Sequence, residues 1–283
     1  MNIRKTSLKR IAQGVLLVTV IALSACSNKR PDNAVNPGTA DALAIYKKSE
    51  RALTNGNFPA AISGFEYLLA VYPFSDYAKQ GQLDLMYAHY RNDNPESAIE
   101  AADQFLLENP THPRVDYAHY VKGLVYFERE RGPMEKFLRV DLAKRPPENL
   151  TESYRSFSIV VNQYPDSPYA ADARQRMIYL RSRLAKYEMY VAAYYMNRGA
   201  FVAAAGRARF VLEHYDQTSS VVPALQVMVA AYRRLELPEL ADNTMRVLEE
   251  NYPDQAFAYG ERGTDVQGTF LERWILRRGS RQQ

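Results

Sequence analysis

Five times along the chain, apolar side chains fall at the same offsets before a closing proline or aspartate. The first copy is Ala61-Ile62, Phe65, Leu68-Leu69 and Tyr72-Pro73, a spacing that lines one face of a helix. The others are Ala98-Ile99, Ala102, Phe105-Leu106, Asn109-Pro110; Ser153-Tyr154, Phe157, Val160-Val161, Tyr164-Pro165; Ala204-Ala205, Ala208, Val211-Leu212, Tyr215-Asp216; and Ala241-Asp242, Met245, Leu248-Glu249, Tyr252-Pro253. Each copy opens on a small residue, which lets two helices of a hairpin approach closely. The closing proline, where present, stops the second helix because it cannot continue the hydrogen-bond ladder. Turn residues precede each of four second helices: Gly56-Asn57, Asn92-Asp93-Asn94-Pro95, Gly199 and Leu237-Pro238. A single hairpin cannot bury its apolar face, so the pattern predicts an all-α fold: a right-handed α-solenoid of about five tetratricopeptide-like hairpins over residues 39–255.

The closing positions are not evenly spaced. The third copy carries an excess between Glu128 and Asn149, where Gly132-Pro133 and Arg145-Pro146-Pro147 read as a surface excursion. In the fourth, Ala170 to Arg198 holds no proline, and the first helix is expected to run nearly unbroken. Beyond the last copy, residues 256–283 form a tail in which Val266, Phe270, Trp274 and Ile275-Leu276 fall near one face beside Arg273, Arg277 and Arg278. That pattern suits a capping or partner-seeking amphipathic helix, or a frayed terminus.

The N-terminus breaks the pattern. Arg4, Lys5, Lys9 and Arg10 precede an apolar run from Ile11 to Ala22, too short to span a bilayer and built like a cleaved signal peptide, residues 1–25. Leu23-Ser24-Ala25-Cys26 resembles the lipobox of bacterial lipoproteins, which implies an N-palmitoyl, S-diacylglycerol cysteine at Cys26. It is the sole cysteine, so it has no intrachain disulfide partner. Ser27, where an aspartate commonly retains lipoproteins at the inner membrane, implies by the same resemblance sorting to the outer membrane, facing the periplasm. Residues 26–38 are polar with Pro31 and Pro37 and read as a flexible tether. Removing residues 1–25 leaves as many Lys and Arg as Asp and Glu, so the basic charge belongs to the discarded segment and gives no argument for nucleic acid.

Catalytic signatures do not appear. There is no phosphate loop, H-E-x-x-H, C-x-x-C or G-x-S-x-G, so no enzyme activity and no cofactor is expected. His89, His112, His119 and His214 fit helix faces and turns better than a metal site. The 21 tyrosines fit a different use. Tyr87 and Tyr90, Tyr117 and Tyr120, and Tyr187, Tyr190 and Tyr194 repeat along first helices, which line the concave side of such solenoids. There tyrosine offers apolar area and a hydroxyl to a peptide, although many tyrosines would pack between hairpins.

Local strings sharpen this. Tyr72-Pro73-Phe74, Gln82-Leu83-Asp84-Leu85-Met86-Tyr87-Ala88, Asn109-Pro110-Thr111-His112-Pro113 and Arg183-Leu184-Ala185-Lys186-Tyr187-Glu188, extended by Arg198-Gly199-Ala200, resemble the BamD family, lipoproteins of the outer-membrane β-barrel assembly machinery. The resemblance covers residues 26 to about 255. It implies a scaffold that binds the periplasmic domain of BamA through C-terminal repeats, assembles with other lipoproteins of the complex, and receives unfolded outer-membrane proteins through N-terminal repeats. Carried over by position, it marks Tyr72, Phe74, Asp84, Tyr87, Tyr90 and Tyr120 as client-groove candidates, and Arg198 and Arg207 as BamA contacts through pairing with carboxylates. The rival reading is a periplasmic repeat protein that organises cell division or peptidoglycan synthesis; a wall hydrolase is a remote third.

Overall fold

The computed structural model describes residues 37–130 and 146–256, with residues 37–40 and Glu130 given by backbone alone. The signal peptide, Cys26, most of the tether, the body of the insertion and the tail beyond Ala256 lie outside the described residues. Ten helices are described: α1 (Pro37–Thr54), α2 (Phe58–Val71), α3 (Asp76–Arg91), α4 (Pro95–Glu108), α5 (Val115–Glu130), α6 (Glu148–Gln163), α7 (Ala170–Asn197), α8 (Phe201–His214), α9 (Val221–Arg234) and α10 (Pro238–Asn251). No strand occurs among the described residues. Consecutive helices pack as five hairpins, odd-numbered helices first and even-numbered second, the first through Tyr46, Ala52 and Leu53 against Ala61, Ile62 and Phe65, and each hairpin also packs on the next. Pro37 starts α1 inside the stretch expected to be tether.

The small residue of every stripe sits at a helix contact. Ala61, Ala98, Ser153, Ala204 and Ala241 are all buried, and the Ser153 hydroxyl donates to the Gly123 carbonyl at 2.9 Å, so its burial leaves no unmet polar group. Phe65, Phe105 and Phe157 fill the space beyond them. The four described hairpin turns pass through left-handed backbone at Gly56, Asp93, Gly199 and Glu236, with φ of 76°, 57°, 74° and 59°. This one-residue reversal returns the second helix antiparallel at once. Glycine adopts it without strain; Glu236 does so at a steric cost.

Helix α7 departs from the plain repeat. Its first half, with Ala170, Ala173, Leu180 and Leu184, belongs to the core built by α5 and α6; its second half, from Ala185 to Met196, belongs to the core of α8 and α9. One continuous helix thus joins the N-terminal and C-terminal cores, in addition to the helix-on-helix packing between neighbouring hairpins.

Two glycines in helices separate close packing from mere exposure. A Cβ on Gly123 would lie 2.6 Å from the Phe157 ring, whereas one on Gly206 would meet nothing within 4 Å. Helix propensity favours alanine by about 1 kcal/mol at either site, but overpacking costs about 1–3 kcal/mol. Gly206→Ala is expected to raise the free energy of unfolding and Gly123→Ala to lower it, as read by urea denaturation.

Candidate binding wall of the first helices

Neighbouring first helices are joined by a recurring hydrogen bond from a tyrosine to a carboxylate. Tyr46 of α1 donates to Asp84 of α3 at 2.8 Å, Tyr90 of α3 to Glu128 of α5 at 2.6 Å, and Tyr120 of α5 to Asp172 of α7 at 2.7 Å. In each case the phenol comes from one hairpin and the acid from the next. A hydrogen bond to an ionised acceptor is about twice as strong as a neutral one, and its direction fixes how one helix is turned against its neighbour.

Aromatic rings fill the surface between these bonds. Tyr87 and Tyr90 lie 6.1 Å apart, Tyr117 and Tyr169 5.4 Å, and Tyr120 stacks on Tyr169 at 4.7 Å. Arginines lie over several rings. Arg91 stands 5.1 Å from the Phe58 centroid and 5.6 Å from that of Tyr87, Arg114 4.8 Å from Tyr117, and Arg176 5.0 Å from Phe127. Arg91 also donates to the Tyr87 hydroxyl and Arg114 to that of Tyr169.

The protonation equilibria reflect this packing. Burial, then the Asp84 charge, holds the Tyr46 and Tyr117 phenols well above their ordinary range; burial and Glu128 do the same for Tyr90. Tyr120 is pushed up to about 12 by burial and its bond to Asp172. All four remain donors near neutrality. Burial also raises the Asp84 carboxyl, against hydrogen bonds from Tyr46 and Gln80. For Asp172, burial pulls upward but the bonds from Arg176 and Tyr120 outweigh it and lower the pKa.

Asp84, Tyr87, Tyr90 and Tyr120 therefore lie on one wall, but three of them also serve the structure: the Asp84 carboxylate and the Tyr90 and Tyr120 hydroxyls hold helices together. Their ring faces and the half-buried Tyr87 are what the wall offers a ligand. Tyr72 and Phe74 lie apart, in the turn between α2 and α3, where Tyr72 caps α2 half-buried and Phe74 is 98 % exposed. Sequence reasoning passed over Tyr46, Tyr169, Arg114, Glu128, Asp172 and Arg176. A signal existed: Tyr46 to Asp84 and Tyr90 to Glu128 are both 38 residues, one repeat plus one residue. Tyr120 to Asp172 is 52, because the insertion of the third copy intervenes.

The C-terminal arginines sit elsewhere. Arg198 folds back on its own helix, its guanidinium 5.4 Å from the Tyr194 ring with Nε donating to the Tyr194 hydroxyl at 3.2 Å. Arg207 was expected to offer its charge to a partner carboxylate. Instead it pairs at 3.0 Å with Glu188 of α7, which is nearly buried, across the hairpin turn. Arg207 borders a shallow cleft of about 340 Å³ with Tyr195, Ala203, Gly206 and Phe210. No group of three or more His, Cys, Asp or Glu that could hold a metal occurs among the described residues.

The family model described as YfiO, outer membrane lipoprotein, matches residues 39–248. The chain belongs to this family. Its relatives include proteins named outer membrane protein assembly factor BamD from Neisseria gonorrhoeae, 38% identical over 255 residues that span 86% of this chain and 92% of that protein, and from Xylella fastidiosa strain 9a5c, 35% identical over 247 residues that span 87% and 84%. The protein of that name from Vibrio cholerae is 33% identical over 207 residues, 73% of this chain and 86% of its own length. Among solved structures, MamA protein aligns over 80% of this chain and 95% of its own, with 15% identity and a TM-score of 0.37, too distant to inform the wall. Membership of an outer-membrane lipoprotein family associates the chain with the outer membrane.

The inter-helix bonds predict a ranking. Tyr46→Phe leaves the more buried Asp84 with Gln80 alone of its two donors, and losing a partner to a buried charged group costs about 1–3 kcal/mol; Tyr90→Phe returns the exposed Glu128 to water and costs about 1 kcal/mol or less. Urea denaturation of both variants checks the order.

A pH effect arises from the histidines around α4. Burial lowers the pKa of His89, His112 and His119, the buried His89 Nδ1 has no hydrogen-bond partner, and His112 Nδ1 accepts from the Arg114 amide. The fold favours neutral imidazole, so the unfolded chain takes up protons first. This contribution to stability is whole above the ordinary histidine value of 6.5 and is lost as pH falls through the lower folded values. The melting temperature is expected to drop between pH 7 and pH 5 by calorimetry.

Proposed function

We propose that the chain is a non-enzymatic scaffold for outer-membrane protein assembly, anchored by lipid at Cys26 and facing the periplasm. Its first-helix wall holds extended segments of unfolded outer-membrane proteins, and its C-terminal hairpins hold the periplasmic domain of BamA beside the other lipoproteins of the complex. The observation that carries the reading is the two groups of tyrosine rings with their arginine plates, Tyr87 and Tyr90 beside Arg91, and Tyr117, Tyr120 and Tyr169 beside Arg114. Aromatic faces take up the apolar side of an extended strand, and guanidinium groups meet its backbone carbonyls and terminal carboxylate. The names of the relatives support the same assignment.

Binding of a fluorescent extended peptide ending in phenylalanine tests the wall. Truncating a central aromatic or arginine anchor typically costs about 2 kcal/mol, roughly thirtyfold in affinity. Tyr87→Ala and Arg114→Ala are each expected to weaken binding on that scale while a distant change, Glu239→Ala, does not. Equal affinity in all variants would remove the wall from the reading. Retention of the BamA periplasmic domain on a column of this protein at physiological salt, weakened by Arg198→Glu, checks the second partner independently.

A further inference from the structure

The last hairpin breaks the repeat at two positions. In the four preceding second helices, the residue after the small opening residue and the one seven further on are apolar: Ile62 and Leu69, Ile99 and Leu106, Tyr154 and Val161, Ala205 and Leu212. All eight are buried or half-buried in cores. In α10 the same positions hold Asp242 and Glu249, both exposed, with half-buried Met245 and Tyr252 on the same face. Seven residues are about two helical turns, so the two carboxylates share that face.

The surroundings reinforce the charge. Glu239, Glu250 and Asp254 are exposed nearby, and the single basic residue of α10, Arg246, bonds to Asn243 of its own helix at 2.8 Å. Among the described residues neither Asp242 nor Glu249 has a salt bridge. The solenoid therefore ends on a face with an apolar centre and an acidic surround. The chain itself enters this place: residues 253–256 turn helical after Tyr252, and Ala256 is buried against Val221, Leu225 and Leu248, where a next first helix would begin.

The remaining stretch of sequence is complementary. Residues 257–283 hold five arginines, no lysine and three acidic residues, and Phe270, Trp274 and Arg277-Arg278 are spaced to share one helical face, with Arg273 at its border. We propose that residues 264–278 fold back onto the open face of α10 as a cap supplied by the same chain. Arg273, Arg277 and Arg278 meet Asp242 and Glu249, while Phe270 and Trp274 cover Met245 and Tyr252. Polar end residues alone would keep a solenoid soluble, but they do not account for a basic, aromatic segment tethered eight residues from an acidic, apolar-centred face.

Trp274 is the only tryptophan, so its fluorescence reads the contact directly. In the full chain, solubilised in mild detergent, its emission is expected to be blue-shifted and protected from acrylamide. Reversing either side, as D242K/E249K or as R273E/R277E/R278E, is expected to raise the quenching constant severalfold. Combining both reversals restores protection. The α10 substitutions lie at exposed positions, and unchanged far-UV circular dichroism verifies the fold. Three results overturn the proposal: a fully quenched tryptophan in the unmodified chain, protection that ignores both reversals, or protection that vanishes on dilution, which would assign the segment to a second copy.

Discussion

A hairpin of two short helices leaves a bare face on each, and covering that face is the constraint on which the rest of this structure depends. It sets the small residue at each helix contact, because only close approach lets Phe65 or Phe157 reach across to a neighbour. It also makes stability a sum of intrinsic and nearest-neighbour terms, so a perturbation at one interface is felt first by adjoining hairpins. The long helix α7 is the exception. By supplying both the core of α5 and α6 and that of α8 and α9, it runs as one continuous helix through two stretches of repeats.

Apolar contacts fix that neighbours touch, not how far each first helix is rotated. The tyrosine-to-carboxylate bonds supply that missing specification. A directional bond penalises a small rotation more sharply than a dispersion contact does, most of all at the partly buried Asp84 and Asp172, so the three bonds bias the relative rotation of α1, α3, α5 and α7. The wall presented to a ligand is thus held in shape by the same residues that form it. This explains tyrosine in preference to phenylalanine there: the hydroxyl is spent on the scaffold, and the ring is left for the proposed recognition.

The periodic part of this was legible in the sequence. The stripes from Ala61 to Tyr252 and the turn residues place nine of the ten helices, and the unbroken run from Ala170 anticipates α7. Side-chain partnerships were less legible, because they depend on separations that insertions alter. Two tyrosine–acid pairs lie 38 residues apart and could have been found by adding one to the repeat period; the third is displaced by the excursion after α5 and could not. Arg207 looked available because its partner, Glu188, is 19 residues earlier on the opposing helix of a hairpin whose register the sequence does not print. Tyr72 and Phe74 were grouped with the wall by local likeness, yet a turn at the edge of the repeat holds them away from it.

These observations separate two kinds of surface on one chain. Along the first helices the acids are bonded within the protein, as in Tyr120–Asp172–Arg176, and Arg91 and Arg114 lie over tyrosine rings, so the proposed ligand would meet an aromatic lining with its own acids already satisfied. Such a lining tolerates many sequences, which suits a receptor for chains that share an extended, aromatic-ended form and little else. At the end of α10, Asp242 and Glu249 have no salt bridge among the described residues, and the recognition proposed there is electrostatic and suited to a basic segment. A wall proposed to accept varied clients and an end face proposed to accept one basic segment place opposite demands on charge: along the first helices the acids are bonded within the protein, whereas Asp242 and Glu249 have no salt bridge among the described residues.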